Sequence, residues 1–196
     1  MKDFWNERYG GEDFVYGEAP NELLVTFAGR LPPGPVLLIG EGEGRNAVFL
    51  AERGHEVTAV DQSAVGLAKA QALAGRRGVR IHTVEADLAD HALGAGWSAI
   101  VSVWCHLPSA LRRQVHAAIP AALAPGGVFF CVAYTPAQLA FGTGGPRDPD
   151  MLLTAVDLAR ELPELSWEVL REEERELHEG PHHDGRSAFV VGLGVR

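Results

Sequence analysis

The stretch "VLLIGEGEGRNAVFLAERGHEVTAVD", residues 36–61, constrains the fold more than any other part of the chain. "VLLIG" (36–40) is a fully apolar run, as expected of a strand buried on both faces of a parallel sheet. Gly40, Gly42 and Gly44 follow as a turn. "NAVFLAERG" then reads as a helix ending at Gly54, a position where left-handed freedom favours glycine. "EVTAVD" (56–61) is a second strand, closing on Asp61. Such a unit is the building block of a doubly wound α/β sheet, and its glycine turn lies where ligands bind such sheets.

The rest of the chain repeats the alternation. Ser63 is placed to cap a helix carrying Val65, Ala68 and Ala72 on one side. "VRIHTVEADL" (79–88) gives a third strand and "SAIVSVW" (98–104) a fourth. Pro108 suits the first turn of a helix through Leu111, Val115 and Ile119, which Pro120 is expected to kink or end early. "APGG" (124–127) turns into "VFFCVAY", a long fifth strand, and "DMLLTAVDLARELP" is an amphipathic helix. "SWEVLREEERELHEG" and "GRSAFVVGLGVR" are two closing strands joined at "PHHDG", an antiparallel hairpin at one sheet edge. The charge-rich run 171–180 reads as a solvated outer strand. The expected architecture is a mostly parallel, seven-stranded sheet with helices on both faces. Residues 1–196 form one domain: an N-terminal arm and helix over 1–34, with a helix start at Asn21, and a core sheet over 35–196.

Length and composition fit this reading. The 196 residues suffice for a full α/β core, and 46% hydrophobic with 22% charged residues is ordinary globular usage. A net charge of −9 disfavours nucleic acid and anionic membrane as partners. The N-terminus lacks the apolar stretch of a signal peptide, so a cytoplasmic location is expected. Two cysteines, Cys105 and Cys131, are too few for a disulfide framework. A monomer or homodimer acting on a small molecule is the expectation.

The loop chemistry narrows the cofactor. Glycines there allow positive φ and a ligand approach unhindered by a Cβ. Asp61 stands 21 residues after Gly40, one strand–helix–strand step, where a carboxylate can accept from both hydroxyls of a ribose. Together they indicate an adenosine-bearing cofactor. A dinucleotide would lay its pyrophosphate on the helix N-terminus. Here the loop is G-E-G-E-G-R, and Glu41 and Glu43 would repel it. Two carboxylates are tolerable beside a sulfonium and an α-amino group.

With these marks the chain resembles the class I S-adenosylmethionine-dependent methyltransferases. "LLIGEGEGRN", "VTAVDQS", "EADLAD", "AIVSVWCHL" and "LAPGGVFF" carry the resemblance, in that order. The opening "FWNERYGGEDFVYGEAPNELL" with "GEGRNAVFLA" resembles the tellurite-resistance and thiopurine methyltransferase branch. The resemblance implies S-adenosyl-L-methionine as cofactor, with Gly40, Gly42 and the loop backbone around its methionine part. It implies Asp61 at the ribose, Gln62 along the adenine, Asp87 at the adenine amino group, and the Leu88 amide facing the ring. Val103, near the end of the fourth strand, is expected beside the same cofactor. Trp5 and Arg8 match an arm that folds over the donor, whose carboxylate pairs with Arg8 or Arg45. One departure stands out. The class carries an acid two residues before the first glycine, and this chain has Leu38; Glu41 is the substitute within the loop.

The catalytic candidates are His106, after the fourth strand at the mouth of the site, and Tyr134, at the end of the fifth. Each also reads as a structural residue: a hydrogen-bonded histidine, an interface tyrosine. In the closing turn, His182, His183 and Arg186 face the acceptor or form an exposed polar turn. His55, His82, His91, His116 and His178 read as surface or element-end residues. "FGTGGPRDPD" (141–150) is a lid over the acceptor or a plain connection. No third and fourth ligand stand at zinc spacing near His182 and His183, so no metal is expected. The function expected is methyl transfer to a small acceptor that is soft or oxyanionic. A nicotinamide-dependent oxidoreductase and a non-catalytic donor-binding module are the alternatives.

Overall fold

The computed structural model describes residues 2–180 and 183–196. The central sheet has seven strands: β1 (Pro35–Ile39), β2 (Glu56–Asp61), β3 (His82–Glu85), β4 (Trp97–Val103), β5 (Leu123–Tyr134), β6 (Ser166–His178) and β7 (Asp184–Val195). Their order is β3-β2-β1-β4-β5-β7-β6. β1 pairs in parallel with both β2 and β4, so the strand order reverses beside β1 and opens a crevice at the carboxyl ends of these strands. β7 runs antiparallel to β5 and β6. The expected sheet, with its C-terminal hairpin at one edge, is the sheet observed.

Alternate residues of β1 feed opposite faces, as the two-residue strand period requires. Val36 and Leu38 join one buried cluster with Phe130 and Val191, while Leu37 and Ile39 join another with Phe129 and Val190. Three helices follow strands in the expected order: α3 (Arg45–Glu52), α4 (Ala64–Arg76) and α5 (Ser109–Ala122). Ser63 caps α4, its hydroxyl accepting from Gly66 N at 3.0 Å. Asn21 caps α2 (Glu22–Phe27) in the same way through Leu24 N.

Several local expectations are corrected. α4 buries Gly66, Leu67, Ala70, Leu73 and Ala74, whereas Ala68 and Ala72 face solvent. The inward face is selected by Gly44, where a Cβ would lie 2.4 Å from that of Ala70. Pro120 does not stop α5 at once. It sits in the last turn, and the helix closes at Ala122 through Leu123 N on Ile119 O. β3 is shorter than residues 79–88, covering four residues. α6 (Ala155–Glu161) starts later than "DMLL", because Thr154 and Asp157 form a reciprocal capping box. Leu152 and Leu153 lie buried ahead of it. His116 is buried, with Nδ1 2.6 Å from Glu161, rather than at the surface. A helix absent from the expectations, α1 (Lys2–Arg8), opens the arm.

Candidate functional site

The crevice at the reversal of strand order is a cavity of about 550 Å³. Its floor is the loop after β1. Gly40 and Gly42 take positive φ (65° and 62°), and both are hemmed in. A Cβ on Gly40 would meet Cys105 Sγ at 2.5 Å, and one on Gly42 would meet the Tyr9 hydroxyl at 2.5 Å. Only glycine fits there.

Asp61, at the end of β2, is 8% exposed and lines the cavity. Its Oδ2 accepts from Gly42 N and its Oδ1 from Ser63 N, each at 2.8 Å. Burial raises its pKa, and the amides of Ser63, Gly42 and Gln62 oppose that rise. A carboxylate has about four acceptor sites, so capacity remains for a ribose hydroxyl. Gln62, Asp87, Leu88 and Val103 line the same cavity. Asp87 Oδ1 accepts from Ala89 N at 2.9 Å, which fixes the turn that presents it.

The two loop glutamates have different fates. Glu43 turns away, accepting from Val15 N and pairing with Lys69 at 2.8 Å. Glu41 faces the cavity, and its Oε1 accepts from Asn46 N (2.9 Å) and Ala47 N (2.8 Å) in the first turn of α3. Burial pushes its carboxyl up to about 7. The helix N-terminus that a pyrophosphate would need already holds a carboxylate of the chain itself. This arrangement disfavours a dinucleotide more directly than loop charge alone.

The arm closes over the loop. Trp5 stacks on Tyr9, ring centroids 5.4 Å apart, and Asn6 accepts from the Ser63 hydroxyl at 2.7 Å. Trp5 and Arg8 both line the cavity. Arg45 lines it as well but is committed elsewhere: it pairs with Glu179 at 2.8 Å and donates to the Tyr16 and Ala19 carbonyls. Of the two arginines expected at the donor carboxylate, Arg8 is the one without an ion pair among the described residues.

After β4 the cavity is lined by Trp104, Cys105, His106, Leu107 and Leu111, and it is lined as well by Gly144 to Pro146, Met151 and His183. His106 Nε2 accepts from Tyr134 N at 3.0 Å, which places the ring proton on Nδ1. Burial lowers its pKa to about 4, so the ring is neutral and its Nε2 lone pair is engaged. Burial also pushes the Cys105 thiol up to about 12, so it stays protonated. His183 is 6% exposed and packs on Tyr16, Trp104 and Tyr134. Two candidates are displaced. Tyr134 is fully buried behind the cavity rather than lining its mouth. Arg186 points outward, paired with Glu174 at 2.9 Å and lying over the Phe141 ring. His182 lies outside the described residues.

Sequence reasoning missed Trp104, Tyr9 and Glu179. Glu179 accepts from Asn21 Nδ2 (2.7 Å), Arg45 (2.8 Å) and Trp104 Nε1 (3.1 Å), so the turn before β7 holds the arm, α3 and the end of β4 together. A buried charge inside an acidic run was the available signal, and nothing in that run's pattern singles out one glutamate.

Residues 36–127 match a family model described as a methyltransferase domain. Over that stretch, from β1 into β5, the chain is similar to a methyltransferase domain. A 2-heptyl-1-hydroxyquinolin-4(1H)-one methyltransferase of Mycobacteroides abscessus is 27% identical over 162 residues, covering 75% of this chain and 70% of that one. A structure solved in work on the conversion of a disulfide bond into a thioacetal group during echinomycin biosynthesis superposes with a TM-score of 0.80. It is 20% identical and covers 100% of this chain and 92% of that one. TehB from Haemophilus influenzae superposes with a TM-score of 0.74 at 19% identity, covering 100% of this chain and 66% of TehB. The fold is that of the class I methyltransferases, and other proteins of this fold hold S-adenosylhomocysteine. The chain is an S-adenosyl-L-methionine-dependent methyltransferase. TehB is one of several structures with this fold.

Proposed function

We propose that this enzyme methylates a small-molecule acceptor that reaches it already ionised, as an oxyanion or a soft thiolate-like anion. The observation that carries this reading is the state of His106. The histidine at the mouth of the site is neutral, with its Nε2 occupied by the Tyr134 amide. A base whose lone pair is engaged and whose pKa is near 4 does little to remove a proton at neutral pH. An ionised acceptor needs no such base.

In this reading Asp61 takes the donor's ribose hydroxyls, Gln62 lies along its adenine, and Asp87 with the Leu88 amide reads the adenine edge. Gly40, Gly42 and Val103 give the donor room and a wall. Arg8 pairs with its carboxylate, and Trp5 covers it. Glu41, through Oε2, holds the donor's ammonium in place of the acid missing at Leu38. His183 orients the acceptor oxygen, with no part for Arg186. The donor supplies a methyl group activated by its sulfonium; the chain aligns the nucleophile and excludes water. A place in the tellurite-resistance and thiopurine branch, and work in the cytoplasm as a monomer or homodimer, complete the reading.

The test is S-adenosylhomocysteine release at saturating S-adenosyl-L-methionine, with tellurite, selenite, thiols and small phenols across pH. Turnover should follow the ionisation of each acceptor, its midpoint moving from one acceptor to the next. A midpoint fixed at one pH for every acceptor would identify a titrating base on the enzyme and overturn the reading.

A further inference from the structure

The acceptor half of the cavity has a flat wall. Trp104 and His106 line it with ring planes 17° apart and centroids 6.2 Å apart. Tyr134 packs nearly parallel to both, at 4.3 Å and 23° from Trp104 and at 5.4 Å and 12° from His106. Tyr134 is fully buried and does not line the cavity, so it backs the other two rings.

The wall is fixed in place. Trp104 has a φ of 57°, a left-handed conformation that a bulky residue keeps only where its surroundings impose it. Its Nε1–H donates to the buried Glu179, and its ring meets His183 and Phe189 edge to face. His106 is held by the Tyr134 amide. Gly145, with φ of 82°, lies so close that a Cβ would come within 2.5 Å of the Tyr134 ring, and any side chain there would disturb the stack.

Apolar side chains join this wall in lining the cavity: Leu107, Leu111, Pro146 and Met151. The carboxylate that meets Trp104, Glu179, is already paired with Arg45. A compact, strongly hydrated oxyanion would lose its water here and find few donors in exchange. A flat ring loses little water and gains an offset stack. We propose that the acceptor is a planar aromatic or heteroaromatic hydroxyl compound, its ring against Trp104 and His106 and its ionised oxygen toward the donor. This rests on the methyl-transfer reading above and names its substrate class. The oxygen's electron pair forms the new O–CH3 bond, the methyl–sulfur bond breaks, and its electron pair stays on sulfur. No proton moves, because the acceptor is already ionised.

The experiment titrates 7-hydroxycoumarin, tellurite and 2-mercaptoethanol into the protein saturated with S-adenosylhomocysteine, by calorimetry, and then assays turnover of each with the donor. 7-Hydroxycoumarin should bind saturably and at least about tenfold tighter than either non-aromatic probe. It should also yield its O-methyl product. Trp104→Leu should weaken 7-hydroxycoumarin binding about tenfold and raise KM more than it lowers kcat, with S-adenosylhomocysteine affinity unchanged. The absence of saturable 7-hydroxycoumarin binding, or tellurite or the thiol bound and turned over as well, would overturn the proposal. Failure of S-adenosylhomocysteine itself to bind would instead overturn the methyl-transfer reading on which it rests.

Discussion

At the residue scale, the donor roles proposed for Asp61 and Glu41 differ, and pH behaviour separates them. Asp61 holds the loop through Gly42 N and Ser63 N while facing the cavity. Asp61→Ala should weaken S-adenosylhomocysteine binding by on the order of 2–3 kcal/mol, the worth of charge-assisted hydrogen bonds, as measured by calorimetry. Glu41 titrates higher, its carboxyl pushed up to about 7 by burial. If its charged form holds the donor's ammonium, affinity should weaken as pH falls through about 7, and Glu41→Gln should flatten that dependence. The same group acts on stability with the opposite slope. A carboxyl whose folded pKa is raised favours folding at low pH, so its contribution is lost as pH rises from about 4.5 through about 7. Thermal melts of Glu41→Gln should lack this decline. An identical pH slope in binding for parent and variant would remove Glu41 from the donor site.

At the scale of elements, the arm and the turn before β7 make separable contributions. Deleting residues 1–18 removes Trp5, Arg8, Tyr9 and Tyr16 from the cavity, yet leaves the seven strands whole. The truncated protein should fold and bind S-adenosylhomocysteine more weakly; unchanged affinity would show that the arm only packs. Glu179→Ala has the other signature. It leaves the Arg45 guanidinium buried without its partner, which should cost about 3–5 kcal/mol of stability in a denaturant titration. A loss under 1 kcal/mol would mean that water reaches Arg45. The loop beside β1 was legible in sequence because one continuous stretch builds it: strand, glycine turn, helix, strand and acid. The contacts that hold the wall after β4 were not. Glu179 meets Arg45 across 134 residues, and Trp104 meets Glu179 across 75, pairings that no local period encodes. Element boundaries slipped for local reasons: a capping box delayed α6, and close packing at Gly44 rotated α4 away from its expected face.

For the whole molecule, the sheet was readable because its strands are apolar runs punctuated by glycine and proline, and its order follows from the parallel crossovers. The strand order places the crevice beside β1, and Glu41 excludes a pyrophosphate from the helix that borders it. The account therefore distinguishes two cofactors with one adenosine in common. The most direct test is a calorimetric titration of the purified full-length chain with S-adenosyl-L-methionine, S-adenosylhomocysteine and NADH under one set of conditions. The account predicts saturable binding of the first two, with a matching rise in melting temperature, and no heat of binding from NADH. Binding of NADH without binding of either sulfur compound would contradict it.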